Sequence, residues 1–547
     1  MVKNLLKKII SNEYNTDFDI LTPPDPKMGD YSVNLAFILA KKEKKNPKEL
    51  SEELAAKFSK SNELSRYFGK IEAVGGFVNF YISNDFLRSQ LLKILEQGEN
   101  FGSGEKKNYK INLEFVSANP TGPLTVHNVR AAPYGDALAS ILKKSGYDVT
   151  KEYYINDAGN QVRLLGESVA RRYLRLKGKT IDFPDNLYQG EYIIDIAKEV
   201  EKDGLVDQIE NFDELVLVCK DYALKKLTSL IIGSLKRLGV EFDVWFSEEK
   251  LYETGEAETT LRILDKGKHV YEKDGAKWLK IDNSGERDAV LVKSDGAYSY
   301  LMGDIAYTRN KFMRGFNKAV NIWGADHHGD VLRLMTGVKF LNYEDEALDV
   351  LLHQLISIKV GGETKRMSKR KGELVIFDEL LEEVGGDVIR FFFLMKDLNT
   401  HMEFDIDLAK KQSNKNPVYY VQYAFARLNS ILAKSKEQRA KSKNFENLEL
   451  LKEKEEFLLM RSLVKFPELV EEISKNYQVH HLAQYSFSLA SVFHNFYEKH
   501  KVIQDDKNLE RARLELCRAT ATILKTTLSL MGISAPERMD GKESEGA

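Results

Sequence analysis

Residues 111–142 read INLEFVSANPTGPLTVHNVRAAPYGDALASIL, and this stretch decides the fold. It opens with an apolar strand pattern at 111–116, continues through a loop rich in glycine and proline, and ends in a helical pattern from about Asn128 to Leu142. A second strand pattern at 149–155 and a helix from Gln161 follow. This order predicts βαβ units in a parallel sheet whose site lies at the carboxyl ends of the strands.

A distant basic segment belongs with this loop. Residues 365–372 read KRMSKRKG, which combines a hydroxyl group with several cations. A loop that leads into a helix presents unpaired backbone N–H groups to phosphate, and flexible lysines neutralise a leaving pyrophosphate. Together the two segments predict a nucleotide site.

The composition limits the class of protein. With 547 residues, of which 43% are hydrophobic and 30% charged, the chain is typical of a globular protein of roughly three or four domains. Its 81 basic and 83 acidic side chains nearly balance, so any nucleic-acid binding depends on local patches. Cys219 and Cys517 lack the spacing of zinc or redox motifs, and we expect both to be buried thiols. No apolar run approaches the roughly 20 residues that cross a bilayer, so we expect a cytoplasmic protein without membrane contact.

The pattern of strands and helices changes twice along the chain. Residues 1–105 predict a small α+β module, and residues 405–547 carry only amphipathic helical patterns and predict an all-α bundle. Residues 106–404 predict a Rossmann-like domain with a helical insertion around 177–261. Three strand patterns follow that insertion, at 289–292, 319–323 and 355–360. The predicted fold class is therefore multidomain α/β.

Several further motifs occur in a fixed order. They lie at 153–161 (YYINDAGNQ), 322–329 (IWGADHHG), 416–424 (NPVYYVQYA) and 534–539 (SAPERM). The loop before the first helix resembles a HIGH-type signature and the basic segment resembles a KMSKS-type loop. The signature comprises Ala118, Asn119, Pro120, Thr121, Gly122, Pro123, Leu124, Thr125, Val126, His127 and Asn128. Over nearly its whole length the chain resembles the class I arginyl-tRNA synthetases.

The resemblance implies an arginine–tRNA ligase. ATP, accompanied by Mg²⁺, would activate L-arginine to arginyl-adenylate, and the arginine would pass to the terminal adenosine of the tRNA for arginine. The N-terminal module is then expected to contact tRNA and the C-terminal bundle to bind the anticodon. We expect the protein to be a monomer.

The resemblance also assigns residues to ATP. In the KMSKS-type loop, Lys369 is expected to meet the phosphates, Ser368 to donate a hydroxyl, and Met367 to pack near the adenine. In the signature, the ATP-binding residues are expected to be Gly122, Pro123, His127 and Asn128, with Thr125, His127, Asn128 and Lys369 taking part in catalysis. The alternative for the basic segment is a solvated turn, but the Gly361-Gly362-Glu363 hairpin before it and Gly372 after it provide hinges.

Arginine recognition requires planar acceptors for the guanidinium group. The residues to which the resemblance assigns this pocket are Glu114, Asn119, Tyr300, Asp304 and His327. Asn119 is expected at the α-amino group, and Tyr300 and Asp304 at the side chain. Asp304 has an alternative role as the N-cap of a helix beginning at Ile305, after a strand at 298–301.

Metal binding is a separate possibility for the histidine pair at 327–328 beside Asp326. We do not expect a metal there, since neighbouring side chains at a strand end point apart and no third ligand is placed.

The signature departs from the family pattern at residues 125–128. Thr, Val, His and Asn stand where the family has His, an aliphatic residue, Gly and His. Glycine in the third place lets adenine lie against bare backbone, whereas the side chain of His127 competes for that space. Three outcomes follow for His127: it rotates outward, it replaces the missing imidazole, or it hinders ATP.

Two rival functions remain open from the sequence. Another class I synthetase, for glutamate or cysteine, shares the nucleotide motifs, although the chain has no zinc-spaced cysteines. A catalytically weakened or silent paralogue that binds RNA is supported by the altered signature alone.

Overall fold

The computed structural model describes residues 2–23, 25–281, 287–365, 375–435 and 447–539. It confirms the predicted fold class, an N-terminal α+β part followed by a parallel-sheet domain and a C-terminal helical bundle.

The N-terminal part is a four-stranded antiparallel sheet covered by helices. Its elements are α1 (Val2–Glu13), β1 (Ile20–Leu21), β2 (Tyr31–Val33), α2 (Leu35–Glu43), α3 (Pro47–Ser59), β3 (Phe68–Val74), β4 (Phe77–Ile82) and α4 (Asn84–Gln97). The strand order is β1-β2-β4-β3. Local sequence sets the helix starts, because Asn46 caps α3 with Pro47 at its first position and Ser83 caps α4.

The central part is built on a five-stranded parallel sheet. Its first elements are β5 (Lys110–Phe115), α5 (Val126–Val129), α6 (Ala131–Lys144), β6 (Asp148–Ile155), α7 (Asn160–Leu176), α8 (Glu191–Asp203), α9 (Phe212–Arg237), β7 (Val244–Ser247), α10 (Glu249–Glu253) and α11 (Glu256–Lys266). Next come β8 (Val270–Lys273), β9 (Ala276–Leu279), β10 (Ala289–Val292), α12 (Tyr300–Met313), β11 (Lys318–Gly324), α13 (His328–Lys339) and β12 (Leu348–His353). The parallel order is β12-β11-β5-β6-β7, so β5 and its following loop lie at the centre.

A third region joins the parallel sheet to the bundle. It contains β13 (Ile356–Val360), β14 (Glu363–Lys365), α14 (Phe377–Val384), α15 (Gly386–Leu394), β15 (Met402–Asp405) and α16 (Ile406–Ala409). The bundle follows with α17 (Pro417–Lys434), α18 (Lys454–Val464), α19 (Phe466–Asn476), α20 (His480–Lys499) and α21 (Lys507–Leu530). The apolar stripe predicted for the last helix packs into the core, and Asp506 caps that helix.

Two of the predicted strands belong to other sheets. The strand at 289–292 is β10 of a small antiparallel sheet with β8 and β9, and the strand near 355–360 is β13 of a sheet with β14 and β15. The parallel sheet instead uses β12 and the edge strand β7, neither of which the sequence predicted. Strand β7 reads Val-Trp-Phe-Ser, which has no alternation of apolar and polar positions, and all four of its residues are half-buried.

Candidate active site

A strained turn at the end of β5 begins the site. Val116 and Ser117 have φ values of 70° and 37°, a region that side chains, and β-branched ones above all, rarely occupy. The Ser117 hydroxyl donates to Glu114 Oε1 at 3.0 Å and accepts from the Tyr154 N–H at 3.1 Å. The amide of Asn156 donates to the Ser117 carbonyl at 3.3 Å. These bonds to β5, β6 and the residue that follows β6 hold a turn that otherwise costs about 1–3 kcal/mol per strained residue.

The first turn of α5 is closed by a capping box between Thr125 and Asn128. The Thr125 N–H and hydroxyl both donate to Asn128 Oδ1, at 3.1 and 2.7 Å, and the Asn128 N–H donates to Thr125 Oγ1 at 3.4 Å. Because a backbone N–H can only donate, the atom facing it is the oxygen of the Asn128 amide. The Nδ2 group of Asn128 is thereby oriented away from the box.

His127 lies inward against the sheet. Its ring packs on the ring of His353, with centroids 5.4 Å apart and planes at 56°. His353 is the last residue of β12, pairs in register with Gly324, and is buried. The ring of His127 therefore contacts the end of the parallel sheet, and its effect on ATP stays a prediction.

Backbone bonds join the signature loop to the chain that follows the basic segment. The Val126 N–H donates to the Val375 carbonyl at 3.2 Å, and the Phe377 N–H donates to the Leu124 carbonyl at 2.9 Å. On the other side, the predicted hairpin is present between β13 and β14, with Gly361 and Gly362 at φ of 61° and 82°. Met367, Ser368, Lys369 and Gly372 lie outside the described residues.

Gly122 and Pro123 lie in the loop between β5 and α5. A Cβ on Gly122 would lie 3.1 Å from the hydroxyl oxygen of Tyr192, which donates to the Thr121 carbonyl at 2.7 Å. The loop is thus fastened to α8 as well as to the sheet.

A pocket of about 550 Å³ opens at the carboxyl ends of β5 and β11. All five residues expected to bind arginine line it, namely Glu114, Asn119, Tyr300, Asp304 and His327. The turn at 116–117, Asn156, Gln161, Gly324, Asp330 and Arg333 complete much of the wall. The structure therefore brings together side chains that are widely separated in the sequence.

Asp304 lies inside helix α12, not at its start. The helix begins at Tyr300 and is capped by Ser299, whose hydroxyl accepts from the Met302 N–H at 3.2 Å. The alternative of a strand at 298–301 followed by an N-cap at Asp304 is wrong, because the Ser299 cap starts the helix earlier. Burial raises the pKa of Asp304 well above its usual value, and the nearby Glu114 and Glu248 carboxylates raise it further.

Glu248 is an acidic residue that the sequence did not reveal. It follows β7, is buried, and accepts a bond from the Tyr252 hydroxyl on Oε1 at 2.8 Å. Its Oε2 has no hydrogen-bond partner among the residues the structure describes. Burial raises the pKa of Glu248 to about 7. A Cβ placed on Gly303 would lie 3.6 Å from Glu248 Oε1, so Glu248 adjoins the Asp304 turn of α12.

Glu114, another carboxylate that lines the pocket, is partly neutralised. Its Oε2 accepts from the buried Lys311 ammonium at 2.7 Å, and Lys311 also donates to Asn321 at 2.8 Å. Within the described part of the chain, Asp304 and Glu248 have no ion pair of this kind, and Lys311 lowers the pKa of Asp304 less than burial and the neighbouring carboxylates raise it.

The remaining pocket residues differ in exposure. Asn119 donates from Nδ2 to Gln161 Oε1 at 2.7 Å, whereas Tyr300 is 66% exposed at the pocket mouth. His327 Nδ1 lies 3.7 Å from Asp330 Oδ2. Over the described ranges, no group of three His, Cys, Asp or Glu side chains is arranged to hold a metal ion.

A second cavity, of about 830 Å³, lies in the helical bundle. The Arg427 guanidinium lies over the rings of Tyr423 and Tyr497, at 4.7 and 5.1 Å from their centroids. Further cations, Lys434, Lys501 and Arg538, line this cavity. Of the aromatic residues opening α17, Phe425 is buried and Tyr419, Tyr420 and Tyr423 are half-buried.

Two broader features concern the whole chain. Cys219 and Cys517 are buried free thiols, as predicted. Among the helices described, none has the length and apolar character needed to span a bilayer.

Comparisons with known proteins agree with this arrangement. The family described as "tRNA synthetases class I (R), catalytic domain" matches residues 90–401, which include the parallel sheet and the pocket. This match and the fold define the chain as a class I aminoacyl-tRNA synthetase. Residues 1–82 match the "Arginyl tRNA synthetase N terminal domain", and residues 421–539 match the "DALR anticodon binding domain".

Two curated relatives are similar over almost their entire length. The arginine–tRNA ligase of Thermotoga maritima is 43% identical over 551 residues, covering 98% of this chain and 99% of the relative. The arginine–tRNA ligase of Bacillus subtilis is 42% identical, covering 95% of this chain and 94% of the relative. The solved arginyl-tRNA synthetase of Thermus thermophilus superposes with a TM-score of 0.79 over 98% of this chain and all of that one, at 22% identity, which shows a shared fold. The chain belongs to the arginyl-tRNA synthetase family.

Proposed function

We propose that this protein is an arginine–tRNA ligase that uses ATP. A carboxylate oxygen of arginine attacks the α-phosphorus of ATP, the bond to the β-phosphate bridging oxygen breaks, and pyrophosphate leaves. A ribose hydroxyl of the terminal adenosine of tRNA then attacks the arginyl carbonyl carbon and AMP leaves. The observation that carries the proposal is an acidic pocket beside a signature loop, in a chain whose relatives carry the ligase name. Those relatives favour the ligase over a silent RNA-binding paralogue.

The guanidinium group of arginine is proposed to bind between Asp304 and Glu248. Both carboxyls have raised pKa values because burial and nearby acids outweigh the attraction of cations, and neither forms an ion pair with a residue that the structure describes. A planar cation at this position supplies the missing charge and reaches Glu248 Oε2. Glu114, which accepts a bond from Lys311, is proposed to orient the α-amino end together with Asn119. Tyr300 and His327 close the pocket mouth.

The nucleotide is proposed to lie over the signature loop. Gly122 and Pro123 form the bend, and Thr125 acts by orienting Asn128, whose Nδ2 is available to a phosphate oxygen. Lys369, Ser368 and Met367 are proposed to cover the phosphates and adenine from the opposite side. Support for this comes from the backbone bonds that fasten Val375 and Phe377 to the signature loop. ATP is proposed to enter as its magnesium complex.

The bundle is proposed to bind the anticodon loop of the tRNA. The cavity beside Arg427 offers two tyrosine rings for stacking on unpaired bases, with lysine and arginine side chains for phosphates. We further propose functional parts at 1–105, 106–404 and 405–547, a monomeric protein, and a cytoplasmic location.

The test is aminoacylation with the pure protein, ATP, arginine and its tRNA. We expect charged tRNA and an ATP–pyrophosphate exchange that depends on arginine. Glu248→Gln is expected to raise the KM for arginine by about 10- to 100-fold, the range for losing one charged hydrogen bond. Glu199→Gln is a matched control, since Glu199 lies in α8 and bonds to Lys226 on the helical insertion. No charging by the wild-type protein would contradict the proposal.

A further inference from the structure

None of the residue roles proposed above explains the buried ring of His353. His353 is 7% exposed, and its Nδ1 has no hydrogen-bond partner within the described part of the chain. Burying an imidazole ring without a partner for this nitrogen costs free energy, so the position of the ring requires a compensating role. The ring is in contact with His127 of the signature loop, at 5.4 Å between centroids.

The position of His353 beside Gly324 indicates which ligand completes it. His353 Nε2 lies 3.8 Å from the point that a Cβ on Gly324 would occupy, and Gly324 lines the arginine pocket. In arginyl-adenylate the arginyl group is joined to AMP, so the nucleoside must occupy the space next to that pocket. The ends of β11 and β12 and the first turn of α5 bound this neighbouring space.

We propose that His353 is a nucleotide-binding residue, with its Nε2, the ring nitrogen on the side of Gly324, hydrogen-bonded to the adenosine of ATP and its ring held in place by His127. This inference rests on the proposed function. Burial, followed by the neighbouring His127, lowers the pKa of His353 to about 4. The ring is therefore neutral near pH 7, and it has one donor and one acceptor nitrogen for a nucleoside. His127 thus takes a packing position that a glycine would leave empty.

His353→Phe tests the proposal, because it keeps an aromatic ring against His127 and removes both nitrogens. We expect the KM for ATP in ATP–pyrophosphate exchange to rise about 5- to 10-fold, with the KM for arginine changed by less than about 2-fold. His494→Phe is the matched control. His494 is another buried histidine with a pKa lowered to about 4 by burial, but it lies in the bundle. Its replacement is expected to leave the KM for ATP unchanged.

ATP analogues identify the contact more directly. For wild-type protein and His353→Phe, the KM values of ATP, 7-deaza-ATP and 2′-deoxy-ATP are compared. We expect one analogue to lose affinity for the wild type but to lose nothing further in the variant, since the shared bond is already absent. An unchanged KM for ATP in His353→Phe, or fully additive losses for both analogues, would overturn the inference. Failure of the proposed function is distinct, because the wild-type protein would then form no charged tRNA.

Discussion

At the scale of single residues, Asp304 is expected to lower the free energy of unfolding near pH 7 while it favours the binding of a cation in the pocket. Asp304 has a raised pKa, so the folded state holds a proton over a pH range in which the unfolded chain has released it. The free energy of unfolding contributed by this group therefore falls as pH rises from its unfolded pKa through its folded pKa. We predict that Asp304→Asn raises the melting temperature near pH 7 while raising the KM for arginine at least about 10-fold. Thermal denaturation and exchange kinetics check both; a lower melting temperature would contradict the electrostatic argument.

The proposed contact of Glu248 with arginine predicts that arginine binding depends on pH. Its pKa of about 7 means that it is largely protonated at pH 6, where it attracts a guanidinium cation less. We predict that the KM for arginine falls several-fold between about pH 6 and about pH 8, and that Glu248→Gln flattens this dependence. The KM for ATP, measured in the same series, serves as the internal control. An identical pH profile in wild type and variant would show that another group titrates.

Ser117 acts through the strained turn. We predict that Ser117→Ala raises the KM for arginine about 3- to 10-fold, because Glu114 and the Tyr154 N–H lose a shared partner. Ser140→Ala is the control, since that hydroxyl only donates to the Asp136 carbonyl within α6. Equal effects of the two substitutions on arginine kinetics would leave Ser117 without a positioning role.

At the scale of elements, the β13–β14 hairpin can be tested for a role in catalysis by a substitution that leaves the following basic segment unchanged. Gly362 has a φ of 82°, and a Cβ there meets no atom of the described residues within 4 Å, so we expect Gly362→Ala to add backbone strain. Gly178, after α7, has a φ of 78° and equally open surroundings. We predict that both alanine variants lose about 1–2 kcal/mol of stability but that only Gly362→Ala lowers kcat for adenylate formation. Chemical denaturation and rapid-quench kinetics compare them. If both variants changed kcat equally, the hairpin would have no specific role in catalysis.

Elements also show why the sequence predicted some features and missed others. Strands β5, β6 and β11 each combine β-branched, aromatic or leucine residues next to a loop, and this pattern indicates them directly. Helix α12 was misplaced because its start depends on Ser299 capping among β-prone tyrosines. Glu248 was missed with the short strand before it, and its approach to Asp304 depends on tertiary folding. The contact of His127 with His353 also depends on tertiary folding, because the sequence around either residue gives no sign of the other.

At the scale of the whole molecule, the two ends of the chain are packed together. The buried Tyr31 hydroxyl of β2 bonds to both oxygens of Glu468 in α19, at 2.9 and 2.8 Å, and the Lys3 N–H donates to the same carboxylate at 2.7 Å. Arg461 of α18 lies 3.3 Å from Asp30. The N-terminal module and the bundle are therefore held together by partly buried polar contacts.

This rigid contact predicts a selective defect in tRNA use. Tyr31→Phe removes the hydroxyl from the Glu468 carboxylate while the ring still packs on Phe68 at 6.3 Å between centroids. We expect a loss of about 1.5–3 kcal/mol at this interface, as for hydrogen bonds to charged groups. The KM for tRNA is expected to rise about 3- to 10-fold at constant KM for arginine and ATP, and amide hydrogen exchange in β2 and α19 to accelerate. Lys525→Met removes the exposed ion pair to Glu99 and is the control, expected to change neither. If Tyr31→Phe speeds exchange but leaves the KM for tRNA unchanged, the relative placement of the two ends does not contribute to tRNA binding.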